Sequence, residues 1–161
     1  MKCDIRNLPP DLLALVEEIK DAFRSGIRPG PDEIVDIRGE FDFEKEDAQK
    51  YLQSRTWEDV LGGDDAPIIS LLSAKGWHYY LPAYLIGHVC YGKPHFYGKS
   101  FVLGWSGKGR WAAEMEKFAR ERFDLLTASE RSAVRHYISV GKDRGDQEAV
   151  EAWEQYWRDA P

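Results

Sequence analysis

Cysteine is scarce in this chain. Only Cys3, near the start, and Cys90, within an apolar run, are present, so there is no disulfide framework of the kind that staples small secreted domains. Cys90, set among apolar residues, reads as a packed, inert thiol. No stretch approaches the roughly 18 apolar residues that a membrane-spanning helix needs. The opening residues, Met1-Lys2-Cys3-Asp4-Ile5-Arg6, hold no apolar run that would serve as a signal peptide. These shortages predict a cytoplasmic protein with its native start and no membrane partner. Internal repeats, low-complexity tracts and linkers are missing too, which points to a single domain over residues 1–161.

Positive charge is in deficit, with 22 Lys and Arg against 28 Asp and Glu for a net charge of −6. That balance disfavours generic nucleic-acid binding, which needs a concentrated cationic face. The distribution is more telling than the sum. Residues 1–65 carry 17 acids and 9 bases, residues 66–110 carry 5 bases and no acid, and residues 111–161 carry 11 acids and 8 bases. The composition is that of a globular protein, 43% hydrophobic, and its 13% aromatic share includes six Trp that would suit either a core or a binding surface.

Helical spacing dominates the chain. Leu12, Leu15, Val16, Ile19 and Phe23 mark a first helix after Pro9-Pro10, with Gly26 placed for a left-handed cap. Pro29-Gly30-Pro31 opens a loop with at most a short extended piece at Ile34 to Ile37. Phe43, Asp47, Ala48, Tyr51 and Leu52 mark a second helix, and Thr56 with Asp59 forms a capping box for a short turn. Pro67 fits the first turn of a helix through Ile68, Ile69, Leu71 and Leu72. Trp77 to Val89 reads as the central helix, kinked or restarted at Pro82. Trp111, Met115, Phe118, Ala119 and Phe123 give another. Thr127 and Glu130 box the start of a helix carrying Ala133, Val134, Tyr137 and Ile138, with Gly141 past its end, and Asp146 caps the last. The expected fold is all-α, bundle-like, with six or seven helices and one long loop or loose hairpin at about 91–110, where five glycines alternate with aromatics.

The run Leu71-Leu72-Ser73, then Trp77-His78-Tyr79-Tyr80-Leu81-Pro82-Ala83-Tyr84-Leu85, and later Phe123-Asp124-Leu125-Leu126-Thr127-Ala128-Ser129-Glu130-Arg131-Ser132-Ala133-Val134, resembles a family of small bacterial proteins of uncharacterised function. The resemblance covers about two-thirds of the chain, rests on fold-determining residues and implies an α-helical domain. It brings no active site with it. The stretch from Tyr91 to Gly109 is longer than is usual in that family.

Candidate chemistry is thin. Gly98-Lys99-Ser100 looks like the end of a phosphate loop, but five residues separate Gly92 from Gly98 where the motif has four, and Pro94, Phe96 and Tyr97 are too bulky for a backbone cradle. His88, Cys90 and His95 cluster in sequence, yet His78 and His88 are ten residues apart and no carboxylate lies within 66–110 to support a metal. Ser73 and Cys90 lack a base held by an orienting group. Neither a metal nor a cofactor is expected, and the chain reads as a non-enzyme.

Two segments remain. Asp32, Glu33, Asp36, Glu40, Asp42, Glu44, Glu46 and Asp47 place eight acids in sixteen residues, opposed only by Arg38 and Lys45. Such a field steers a basic partner and speeds its association. A plain solvated face is the competing reading. The expected function is therefore a protein-binding module, most concretely an immunity- or antitoxin-like protein that neutralises a basic, nuclease-type toxin through Asp32, Glu33, Asp36, Glu40, Asp42 and Glu44. The alternative is a nucleic-acid or nucleotide ligand held by Lys93, His95, Tyr97, Lys99, Trp105, Lys108 and Arg110, where rings would stack on bases and cations meet phosphate. A third reading is an enzyme whose site joins His78 or His88 to Glu114 or Glu116.

Overall fold

Leu12, Leu15, Val16 and Ile19 recur every third or fourth residue, and the helix they dictate buries all four. This is α1 (Pro10–Ala22), seen in a computed structural model that describes residues 5–36, 43–61, 67, 69–91 and 111–160. Six more α-helices follow among the described residues: α2 (Phe43–Leu52), α3 (Trp57–Val60), α4 (Ala74–Tyr91), α5 (Trp111–Phe123), α6 (Ala128–Asp143) and α7 (Gln147–Ala152). The fold is all-α, and the only β-type pairing among these residues is an isolated antiparallel bridge between Val35 and Leu72. The chain divides into two compact units, Met1–Lys93 and Pro94–Pro161.

In the first unit α4 is the axis, and α1 and α3 both pack on it. Trp77, Tyr80, Leu81, Leu85 and Ile86 are buried around its circumference. A helix apolar on all sides must be enclosed on all sides. It begins at Ala74 and runs through Pro82 without a restart. Its start is fixed by Ser73, whose backbone N–H donates to Ile34 O at 2.9 Å and whose Oγ accepts from Gly76 N–H at 3.0 Å while donating to Glu33 O. The strand-like piece at Val35 thereby lies against the head of α4. A Cβ at Gly76 would stand 2.0 Å from Ile34 O, so the close approach requires glycine there.

Helix ends leave carbonyls without intrahelical donors. Tyr80 answers one of them and a carbonyl of the α2–α3 connection, its hydroxyl shared between Leu52 O at 2.8 Å and Arg55 O at 2.9 Å. Tyr84 does the same for Pro67 O at 2.6 Å. Burial raises the Tyr80 phenol above its ordinary value, opposed by the Arg28 guanidinium, which itself donates to Gln53 O at 2.7 Å. At the start of α3 the expected capping box is present: Thr56 Oγ1 accepts from Asp59 N–H at 3.4 Å and Asp59 Oδ2 accepts from Thr56 N–H at 2.9 Å.

In the second unit α6 packs on α7 and on the turn that follows it. Its capping box is the one read from sequence, with Glu130 Oε2 accepting from Thr127 N–H at 2.7 Å. Asp146 Oδ1 caps α7 by accepting from Glu148 and Ala149 N–H at 2.9 and 3.1 Å. Beyond Ala152 the helix widens into a π-helical turn, Trp153–Trp157, closed by Arg158 N–H to Trp153 O at 3.0 Å. That widening coincides with a ring cluster in which Phe123 lies 5.2 Å from Tyr156 and 5.0 Å from Trp157. Here arginines supply the donors: Arg131 reaches Phe123 O at 2.8 Å and the Tyr156 hydroxyl at 2.7 Å, and Arg135 reaches Arg158 O at 2.5 Å.

Several expectations need correction. Gly26 is not left-handed. Gly145, at φ 83°, is the described glycine with positive φ, and α1 ends instead on Phe23 at φ −97°. Gly141 lies inside α6, where a Cβ would meet Ala149 Cβ at 3.0 Å, so it serves the α6–α7 approach and not the helix end. The apolar run after Pro67 yields only a 3-10 turn at Ile69–Leu71, because Leu72 is drawn into the bridge with Val35. Cys90 is not a free thiol but is disulfide-bonded. The loop or hairpin expected at about 91–110 lies outside the described residues from 92 onward.

Candidate interaction surface

The acidic stretch is built from a turn and a helix. Pro31 opens a 3-10 turn, Pro31–Glu33, and fixes its φ. In α2, Ala48 and Leu52 are one helical turn apart and buried, while Phe43, Glu44, Asp47 and Lys50 are exposed. Gln49 Nε2 lies 3.5 Å from Asp32 Oδ1, which brings the turn up to α2 and gathers Asp32 with the helix acids. Lys50 lies 4.0 Å from Glu46, an i,i+4 pair of exposed charges that contributes little to stability.

The residues singled out in sequence have different surroundings. Asp32 and Glu44 are exposed, and Asp36 is half-buried. Glu33 is committed within the fold: it pairs with Lys75 and accepts from Gly30 N–H at 3.0 Å. The Lys75 bond first, and the Gly30 N–H second, hold its carboxyl below the ordinary carboxylate value. Glu40 and Asp42 lie outside the described residues, as do Lys93, His95, Tyr97, Lys99, Trp105, Lys108 and Arg110. Phe43, at the head of α2, is 71% exposed, and Ile27 is 90% exposed.

Among the described residues no group of three or more His, Cys, Asp and Glu side chains could hold a metal ion. His78 is half-buried with its ring 6.3 Å from that of Phe23. Glu116 is spent on Arg120 at 2.8 Å, and Glu114 is exposed. No helix among the described residues is long and apolar enough to cross a membrane.

Three features were missed in sequence. The tyrosine hydroxyls of α4 act on carbonyls 17 to 28 residues away, a separation no local pattern encodes. Arg131 sits i+4 from the Thr127 cap, but its targets come from two other elements. The Cys90 disulfide was readable only as the coincidence of two cysteines.

No curated protein and no solved structure matches the chain. A family model does, over residues 12–161, and on that match the chain belongs to the family of unknown function DUF6714.

Proposed function

We propose that the protein is a non-enzymatic cytoplasmic binding module that recognises a basic protein through its acidic surface. In its most concrete form it is an immunity- or antitoxin-like protein that occludes a cationic, nucleic-acid-cleaving toxin. The observation that carries this reading is the exposure of Asp32, Glu44 and Asp47 beside Phe43, a ring 71% exposed at the head of the same helix. Carboxylates speed encounter with a cationic partner, and an aromatic ring among them supplies apolar area once water is expelled. A groove that binds phosphates already holds Lys and Arg, so carboxylates at similar spacing can occupy it. The surplus of acids over bases in residues 1–65 gives the surface its long-range sign.

The test is affinity purification from the native host with partners identified by mass spectrometry, run in parallel with an Asp32→Asn/Glu44→Gln/Asp47→Asn variant. The expected result is a basic protein retained by the wild type at low salt and lost by the variant. Retention of the same partner by both proteins, or recovery of nucleic acid that depends on Tyr97 and Trp105, would overturn the reading.

A further inference from the structure

The cation that Glu33 holds is one of the protein's own. Glu33 Oε1 pairs with the Lys75 ammonium, while its Oε2 accepts from Gly30 N–H at 3.0 Å. Both side chains of the pair stand open to water, 66% exposed for Lys75 and 49% for Glu33, and ion pairs so well solvated add little to stability. The turn beneath them does not depend on Lys75. Glu33 N–H donates to Gly30 O at 2.9 Å, Ser73 N–H donates to Ile34 O at 2.9 Å, and the Ser73 hydroxyl donates to Glu33 O. These bonds keep the Glu33 carboxylate in place when the ammonium leaves. Asp32, the neighbouring residue, is exposed against α2, 3.5 Å from Gln49 Nε2.

We infer that Lys75 is an intramolecular stand-in for the partner's cation: an arginine of the basic partner docks on Glu33, beside Asp32, by displacing the Lys75 ammonium. Resting on the acidic surface proposed above, this exchange adds Glu33 to the footprint and makes Lys75 a built-in competitor. An ammonium meets a carboxylate as a point charge, whereas a guanidinium presents a planar fork to both oxygens, each of which accepts more than one hydrogen bond. Arginine can therefore take Glu33 from Lys75 while the Gly30 N–H stays bound. The released ammonium returns to water, so little is lost in the exchange. A competitor of this kind also selects, because a partner must present a cation that binds Glu33 better than Lys75 does.

The experiment is a calorimetric titration of octa-arginine into the full chain at low salt. Lys75→Met should bind the peptide about threefold tighter than wild type. Lys50→Met, which removes the same charge from α2 itself, should gain less, because it frees no carboxylate of the turn. In the wild type, the Lys75 Nζ resonance should move to the position of a solvated lysine as the peptide saturates. With both partners exposed, the melting temperature of Lys75→Met should stay that of wild type. Affinity unchanged or lowered in Lys75→Met, an equal gain in Lys50→Met, or a Lys75 signal that holds its position at saturation would each overturn the exchange while leaving the acidic surface standing. Wild-type affinity in the Asp32→Asn/Glu44→Gln/Asp47→Asn variant would instead remove the surface, and the exchange with it.

Discussion

The two units satisfy the carbonyls at and between their helices with a different mix of donors. In the first unit the buried donors are neutral phenols, Tyr80 for Leu52 and Arg55 and Tyr84 for Pro67, while guanidinium groups nearer the surface, Arg28 for Gln53 and Arg55 for Tyr51, serve the rest. In the second, guanidinium groups do it: Arg131 for Phe123, Arg135 for Arg158 and, at 3.4 Å, Ala160. The difference follows from where the donors stand. Tyr80 is fully buried, and a charge there would pay an unmatched desolvation penalty, whereas a phenol brings one donor and a ring that packs. Arg131 and Arg135 are only half-buried, so their charge stays partly hydrated and favours the negative end of a helix. Arg122 is the exception, 4% exposed, with its guanidinium 3.3 Å from the Phe118 ring and donating to Phe118 O at 3.1 Å.

Substitutions would sharpen that contrast. Trp157→Ala removes the largest buried ring of the second unit and should cost about 3–5 kcal/mol in urea unfolding. Gly76→Ala in the first unit forces backbone apart at Ile34 and should cost about 3 kcal/mol, with loss of hydrogen-exchange protection at Ser73, whose N–H bonds to Ile34 O.

Tyr80→Phe removes the phenol donor from the Arg55 and Leu52 carbonyls, the second of which keeps its bond from Arg55 N–H, and should cost about 2 kcal/mol, with little dependence on salt. The phenol's pKa is raised above 10.0 in the fold, first by burial, so the neutral form is the one the fold favours. That contribution is intact below pH 10.0 and is lost as pH rises through the folded value. Tyr80→Phe should therefore shrink the alkaline loss of stability, and burial of Tyr79, shifted the same way, should account for what remains. Arg131→Met should cost least, about 1 kcal/mol, because the Arg131 side chain is only half-buried and its charge stays partly hydrated, and added salt should narrow the gap to wild type. Equal salt dependence for the Tyr80 and Arg131 variants would break the comparison.

What was legible in the sequence was what local spacing encodes. The periodic apolar residues gave α1, α5 and α6, and the reciprocal pairs Thr56/Asp59 and Thr127/Glu130 marked helix starts because both partners lie within one turn. Glycine was harder. Gly76 and Gly141 serve close approaches to residues distant in sequence, which looks from sequence like an ordinary helix glycine or a cap. The interaction surface was legible as charge but not as geometry: Glu33 looked equivalent to Asp32 until Lys75, from the start of α4, claimed it.

The surface itself is tested most directly by calorimetric titration of the basic partner recovered from the native host into wild type and into the Asp32→Asn/Glu44→Gln/Asp47→Asn variant, each across a salt series. The account predicts affinity that falls steeply with salt for the wild type and is at least about tenfold weaker in the variant at low salt. Equal affinity for the two proteins, with no salt dependence, would contradict it.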